Sequence, residues 1–591
     1  MLKVHKHLVV LALIEAVVLA AILLLRDDSY LPVMYIDAAA LYLLLASALL
    51  ASGFLFCRRL SAPGRYRQEQ LSGRRRESLQ LAAIIAVAAL LRLPFVTFGF
   101  PYFPHPDEGP KAEIVARMLE NGSFDPHYFL HPSLLLYLSR ELSALFAGAG
   151  VPLDAVHRSL LAGRSVSALA GVTSVFLTFL IARRLFSSAA GLIAAFLLSV
   201  APLDVTCSRY MKEDALCVAF VLAAVFFIVR ALQQERERDF FLAAFLSGCA
   251  CASKYSGIVT IALFFAAPWL RSRSLRPDWH QVRVSLICLL IIPLGFLLCC
   301  PYALLDSKQF VANFLVERNH MLSGHNRIAI SATSQLWMYH FSRSIIPGMT
   351  LVPALLAVFG LGMLLAGRSE NGLFVLGMVL LFYLPAEWVK AKPPPQPERY
   401  VLPCVPFLCM AAAFALSCAA RVWKSAGPAV VIFLVCILPA SRSIALARDL
   451  RFDTRDQLRL WVAENLPAGT KVIIEAAYSP QLTDVALHRK LIKLDKHPGQ
   501  FTVHALRNSG YEYLLVNSFS YGRYFREPKV NQLLKKRWAN IFSTFPLVQE
   551  FSAPSGSYGF HNPVVRVYRL TPILDTRQSG LFADRDHALA D

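Results

Sequence analysis

Residues 133–148 read SLLLYLSRELSALFAG, and whether this stretch crosses a membrane or lies along its surface decides the side on which every later loop falls. It is shorter than the ~20 residues a span needs, and Arg140-Glu141 stands in its middle. Counted as a span, it would carry Arg183-Arg184 to the outside. Read as an interfacial or re-entrant helix, it keeps that pair, the run ERERD at 235–239, Arg271 to Arg276 and Arg421 to Lys424 on one cytoplasmic face, as the excess of basic residues in cytoplasmic loops requires.

Outward from this segment the chain is apolar. Of 591 residues 56% are hydrophobic and 17% charged, with a mean hydropathy of +0.50, too apolar for a water-soluble globule of that size. Apolar runs predict about thirteen spans, beginning near 8, 38, 79, 160, 187, 213, 240, 255, 283, 346, 373, 401 and 427. The first follows the basic Met1 to His7 and meets Arg26-Asp27-Asp28 where a cleavage site would need small residues, so it reads as an uncleaved anchor. With the N-terminus inside, the arginine-rich loop at 58–78 is cytoplasmic. Loops 100–159, 301–345 and 390–400, and everything after about 446, then lie outside.

After 446 the pattern changes. Thr454 with Gln457 reads as a helix cap, and Leu458, Trp461, Val462 and Leu466 share one helical face. KVIIE (471–475), YLLVN (513–517) and VVRVY (564–568) read as strands. The expected division is a hairpin and basic loop over 1–78, a membrane module over 79–446, a small α/β domain over 447–575 and a disordered tail over 576–591. The net charge of +20 does not indicate nucleic acid, because no basic stripe with interleaved aromatics appears and short inter-helix loops hold much of it. The twelve cysteines lie in or beside apolar segments, none after Cys436, and give neither a disulfide framework nor zinc spacing.

The outer face carries the chemistry. FPHPDEGP (103–110) sets Asp107 and Glu108 between prolines, directly before the amphipathic helix KAEIVARMLEN. A helix dipole also favours acids there, but two are more than a helix start requires. Asp214, in SRYMKEDALCVAF, opens another span; it is either a second site acid or a partner for Arg209. The two acids can share a divalent cation or a proton. Arg164, Lys254, Lys390, Lys392 and Arg399 are cations on the side where the charge rule disfavours them. They meet either lipid headgroups or a bound phosphate. His105, His131, His320, His325 and His340 are also external, in no helical metal spacing. Outside the cytoplasm no nucleotide sugar or ATP is at hand, so an enzyme there draws activated groups from lipid phosphates. Such a site needs a carboxylate to accept a proton and cations to hold the leaving phosphate.

These elements, taken in order, resemble the C-type membrane glycosyltransferases, in particular glycosyltransferase family 39 and the aminoarabinose-transferase-like group that includes protein O-mannosyltransferases. HPDE matches the acidic first-loop motif, and YFLHPSLLLYL (128–138) resembles the proline-aromatic stretch that follows it. GRSVSALAG (163–171) resembles an arginine-led span, SRYMKEDALCVAF the second acidic element, ASKYSGI a lysine-bearing turn and ERYVLPCVP a late arginine-tyrosine-proline element. DTRDQLRLWVAENLPAGTKV resembles the start of the soluble outer domain in many bacterial members. Two spans precede the usual core, and His131-Pro132-Ser133 replaces the double proline common there.

The resemblance implies inverting transfer of one sugar from a polyprenyl-phosphate donor to a protein, lipid or glycan acceptor, at the outer face of the plasma (bacterial inner) membrane. It casts Asp107 as general base or acceptor-positioning carboxylate, Glu108 as its support or a cation ligand, and Asp214 as orienting acceptor or metal. Arg164, Lys254 and Arg399 then hold the donor phosphate, and His105, Tyr128, His131 and Tyr400 contact substrate. A divalent cation on Asp107 and Asp214 is optional, since fixed cations can stabilise the phosphate. The main alternative is a transporter or flippase of a lipid-linked glycan, which places ionisable groups near the midplane. An outer domain that recruits a partner is a further one, for which thirteen spans are excessive.

Overall fold

The computed structural model describes residues 72–272, 277–324, 329–392, 398–422, 427–474, 492–494, 502–526 and 531–570. The first two expected spans, His325 and the 576–591 tail lie outside these residues. The chain divides into two compact units, one ending at Arg451 and one starting at Phe452.

The first unit is helical. In chain order its principal helices are α1 (Ser72–Arg92), α2 (Glu108–Glu120), α3 (Leu134–Gly148), α4 (Ala155–Leu185), α5 (Ser188–Val200), α6 (Glu213–Gln234), α7 (Glu237–Ser253), α8 (Trp279–Cys299), α9 (Ser307–Ser323), α10 (Leu351–Gly367), α11 (Glu370–Trp388), α12 (Val405–Val422) and α13 (Gly427–Asp449). Among the described residues seven helices are long and apolar enough to cross a membrane, or eight if one bent pair is a single span. Eleven of the thirteen expected spans begin within the described residues, and not all of those are long enough to cross by length and composition. The expected span at 187 is a helix of 13 residues and the one at 255 a 3-10 turn running into a short helix. The span expected near 346 is broken: Phe341–Met349 meets α10 at 111°, across Thr350 with φ 64°.

The segment that decides the topology, α3, has 15 residues, about 22 Å of helix, and is not among the helices long enough to span. By contrast α4 has 31 residues, about 46 Å, more than a hydrocarbon core of ~30 Å. Asp154 caps its start by accepting from the backbone N–H groups of Val156 and His157, and Arg183 and Arg184 complement the dipole at its end. Helices pack closely where glycine permits: a Cβ on Gly248 of α7 would come within 2.3 Å of the Ile292 carbonyl on α8, and one on Gly360 of α10 within 2.1 Å of the Ala411 carbonyl on α12.

The second unit opens with α14 (Thr454–Asn465), whose Leu458 and Val462, with Leu466 just beyond, pack on Val472, Ile474, Leu515, Val565 and Val567. Its five-stranded sheet runs β2-β1-β3-β5-β4, where β1 is Lys471–Ile474, β2 Ile492–Leu494, β3 Tyr513–Asn517, β4 Leu547–Phe551 and β5 Val565–Arg569. The first three strands are parallel; β5 is antiparallel to both β3 and β4. The cap is Asp453 and not Thr454: the Asp453 carboxylate accepts from the Arg455 N–H at 3.0 Å, whereas the Thr454 hydroxyl, already in the helix, donates to the Pro563 carbonyl at 2.6 Å.

Candidate active site

Asp107 precedes α2 without capping it. Its side chain makes no bond to the helix N–H groups, so the helix-dipole explanation does not account for its direction. Its Oδ2 instead accepts from Lys212 Nζ at 2.7 Å, and its side chain stays 38% exposed. His105 shapes the turn: Nδ1 accepts from the Asp107 N–H at 3.1 Å, and the ring meets Tyr210 edge-on. Burial holds its pKa well below the usual value, so the ring is neutral with its proton on Nε2. Because His105 is fully buried, the structure gives it a bracing position and not the substrate contact expected from sequence.

Glu108 and Arg164 also depart from expectation. Both are fully buried and bound to each other, Nε to Oε1 at 2.8 Å and Nη2 to Oε2 at 2.6 Å. Arg164 Nη1 donates to the carbonyls of Val96 and Phe98, and the guanidinium lies over the Phe98 ring. Glu108 Oε1 also accepts from the Met211 N–H at 2.8 Å. A guanidinium committed in this way has no face to offer a phosphate, and a carboxylate so occupied has none for a cation. Together they rivet the start of α2, the helix α4 and the turn before α6.

That turn is held from its other side by α1. Arg92 reaches Asp204 at 2.5 Å and the Ser199 carbonyl at 3.0 Å, while Arg209 donates to the Leu91 carbonyl at 2.6 Å. Lys212, Glu213 and Asp214 follow, and their side chains diverge around the helix start. Lys212 meets Asp107 and lies 3.4 Å from Glu213 Oε2. Burial alone would lower its pKa; Asp107 and Glu213 reverse that and raise it. Burial likewise would raise the Asp107 carboxyl, but Lys212 above all, with Lys111 and Arg399, holds it well below the usual carboxylate value. Glu213 forms a buried ion pair with Lys111, one turn along α2 from Asp107. His131 Nδ1 bonds the Tyr128 hydroxyl at 2.7 Å and stands 3.9 Å from Glu213 Oε1; burial pushes its pKa down to about 3, so it too is neutral.

Asp214 faces the other way. Its Oδ1 accepts from Lys254 Nζ at 2.5 Å, and Arg399 Nε lies 3.8 Å from its Oδ2. Both cations lie beside the ring of Tyr400, at 5.4 and 5.8 Å from its centroid. Lys254 and Arg399 remain 20% and 16% exposed. One carboxylate thus gathers two partly open cations on one side of the α6 start, and Asp107 stands with Lys212 on the other. A divalent ion between Asp107 and Asp214 would face Lys212, Lys254 and Arg399, the cations to which those carboxylates are already turned. Among the described residues, Asp125, His127 and Asp306 form a separate trio with ligand atoms within 4.8 Å.

Of the other basic residues expected on this side, Lys392 is fully buried and paired with Glu387, whose carboxylate also receives the His340 N–H and the Tyr383 hydroxyl; Lys390 is exposed. Sequence reading missed Lys111, Lys212 and Glu213. Lys111 stands four residues after Asp107 and the other two adjoin Asp214, so helical spacing was the available signal. It also missed Glu317 on α9, which no motif marks.

Residues 152–296 match the family model described as dolichyl-phosphate-mannose-protein mannosyltransferase. Among solved structures, the chain is similar to ArnT from Cupriavidus metallidurans bound to undecaprenyl phosphate (15% identity, 82% of this chain and 97% of that one, TM-score 0.47). It is also similar to the oligosaccharyltransferase of Archaeoglobus fulgidus (14% identity, 82% and 74%, TM-score 0.48). The Pmt1-Pmt2 protein O-mannosyltransferase complex of S. cerevisiae, bound to the sugar donor, aligns at 20% identity over 45% of this chain and 36% of that one, with a TM-score of 0.31. No curated protein matches. Residues 152–296, the segment that contributes Arg164, Lys212, Asp214 and Lys254, are thus similar to the dolichyl-phosphate-mannose-protein mannosyltransferases.

Proposed function

We propose that the protein transfers a monosaccharide from a polyprenyl-phosphate donor to an acceptor at the outer face of the plasma membrane, with inversion at the anomeric carbon. The observation that carries this reading is the pairing of a partly open carboxylate, Asp107, with two partly open cations, Lys254 and Arg399, across the start of α6. An acceptor hydroxyl placed at Asp107 attacks the anomeric carbon from the side opposite the phosphate. The bond from that carbon to the phosphate oxygen breaks, a new carbon–oxygen bond forms, and the acceptor proton passes to Asp107. Charge gathers on the departing phosphate oxygen, where a preorganised ammonium and guanidinium are worth more than in water. Asp214 keeps those two cations together before the donor arrives, a positioning task and not a direct contact with the acceptor.

The depressed pKa of Asp107 bears on timing. A weakly basic carboxylate takes a proton efficiently only once the acceptor oxygen has begun to bond to carbon and has become acidic. Lys212 therefore sets a late proton transfer, which suits a transition state in which departure of the phosphate leads. The transport reading has no supporting observation in the cluster, whose charged groups gather at one end of the bundle.

The test is to incubate purified protein with a series of undecaprenyl-phosphate monosaccharides and a membrane extract, and to identify the products by mass spectrometry. A glycosylated product formed together with free undecaprenyl phosphate supports the proposal and names sugar and acceptor. Every donor remaining intact in the presence of folded protein rejects it.

A further inference from the structure

We infer that Glu317, on the loop helix α9, binds a hydroxyl group of the sugar being transferred and so selects the donor; the inference rests on the transfer reading above. The register of α9 places it. Asn313 Oδ1 accepts from the Phe129 N–H at 2.9 Å, and Phe310 meets the Phe129 ring edge-on at 5.8 Å. Phe314 meets Tyr255 edge-on at 5.1 Å, and the Tyr255 hydroxyl donates to the Phe129 carbonyl at 2.7 Å. Residues 310, 313, 314 and 317 are one face of a helix. That face lies across two things at once: the segment that ends in His131, on the Asp107 side, and the turn of Lys254-Tyr255, on the phosphate side. A sugar joined to the phosphate at Lys254 and Arg399 and attacked from Asp107 must occupy the space between them.

The side chain of Glu317 is 18% exposed, whereas its neighbours Leu315 and Val316 are 44% and 58% exposed. The carboxylate is therefore turned inward. Among the described residues its one ion-pair partner is His320 Nδ1, one turn further on at 3.5 Å. Burial alone would raise its pKa; the bond to His320 and the field of Lys212 lower it, which keeps the group ionised. An ionised carboxylate has about four lone-pair sites and accepts two hydroxyl donors together. Neighbouring hydroxyls of a sugar ring are such donors, and the lipid chain offers none.

The experiment uses the full-length protein, the undecaprenyl-phosphate monosaccharide found active in the transfer assay, its monodeoxy analogues, and sugar-free undecaprenyl phosphate as competitor. Glu317→Gln is expected to raise the donor KM by about 10-fold or more, the scale of one charge-assisted hydrogen bond. Competition by sugar-free undecaprenyl phosphate should stay within about twofold, since that probe tests only the phosphate seat and the lipid chain. One monodeoxy analogue should be penalised by the wild type and no longer by Glu317→Gln. The exposed neighbour Arg318→Gln controls for general disturbance of α9, and thermal unfolding checks the fold. Equal weakening of sugar-bearing and sugar-free lipid would assign Glu317 a structural role and overturn the inference. Unchanged donor KM and unchanged analogue discrimination would overturn it as well, with the transfer reading intact. A wild type that transfers no sugar removes both.

Discussion

Asp107 and His131 belong to one network and are both held in their neutral-pH states by burial and fixed charge, but acid reaches them in different windows. The carboxyl of Asp107 lies well below its usual value because Lys212 and its neighbours outweigh burial. The interaction is present above the unfolded carboxylate pKa and is lost only as pH falls through the lower folded value. His131 is pushed to about 3, whereas an unfolded histidine takes a proton near 6.5. The unfolded chain therefore gains a proton there on moving from pH 7.5 to 5 and the folded chain does not, so this group subtracts stability as pH falls below about 6.5. Thermal unfolding at the two pH values should show a smaller fall in Tm for His131→Gln than for wild type; an identical fall would mean that His131 is protonated in the folded protein. Replacement of the carboxylate separates chemistry from binding. Asp107→Asn preserves shape and leaves Lys212 beside Glu213, and should lower turnover by about 10² to 10⁴ with donor affinity nearly unchanged. Single-turnover rates at saturating donor report this, and near wild-type turnover would move the proton acceptor elsewhere.

At the scale of elements, the site is a junction of helix ends, and the Glu108–Arg164 pair is what joins them. Removing one partner from a buried pair leaves an uncompensated charge, commonly at a cost of about 3–5 kcal/mol. Arg164→Met should therefore destabilise the protein strongly, and Arg164→Met with Glu108→Leu less so, as read by thermal unfolding in detergent. If the single change leaves Tm unaltered, the pair is not the rivet described. The contrast with Asp107 shows what the sequence could tell. Asp107, Asp214, Lys254 and Arg399 were legible because each stood out locally: a carboxylate between prolines, an acid at a span start, cations on the disfavoured side. Glu108 and Arg164 stood out for the same reasons, yet 56 residues separate them and nothing in either motif reveals that each consumes the other. Lys111 and Lys212 were passed over because lysine beside acid reads as ordinary surface charge until a fold buries it. The same limit applies to α9, whose Phe310, Asn313, Phe314 and Glu317 acquire meaning only from Phe129 and Tyr255, far away in sequence. For the helices themselves, apolar runs located each membrane helix described but not its length, since short buried helices such as α5 and a bend at Thr350 leave no mark on average hydropathy.

Across the whole molecule, α6 ties chemistry to orientation. Its 22 residues span about 33 Å, close to the thickness of a hydrocarbon core. Glu213 and Asp214 stand at one end and Glu235 just past the other, so a bilayer crossed by α6 would leave the site and the loop at Glu235 on opposite sides. Around Glu235 gather Arg183, Arg184, Arg230, Arg236 and Arg238, the basic excess that marks a cytoplasmic face. The cluster on the other side has basic residues too, but each stands against an acid of the site, Lys212 against Asp107, Lys111 against Glu213 and Lys254 against Asp214. The charge rule therefore predicts that the Glu235 side is the cytoplasmic one and the Asp107 side the outer one. Asn121, exposed just beyond α2, reports the site's side, and Glu235, also exposed, reports the other. In intact cells an impermeant thiol reagent should label Asn121→Cys and should reach Glu235→Cys only after permeabilisation, each compared with the wild-type chain. The reverse pattern would put Asp107 in the cytoplasm, where nucleotide-activated sugars are available, and would remove the reason for a lipid-phosphate donor.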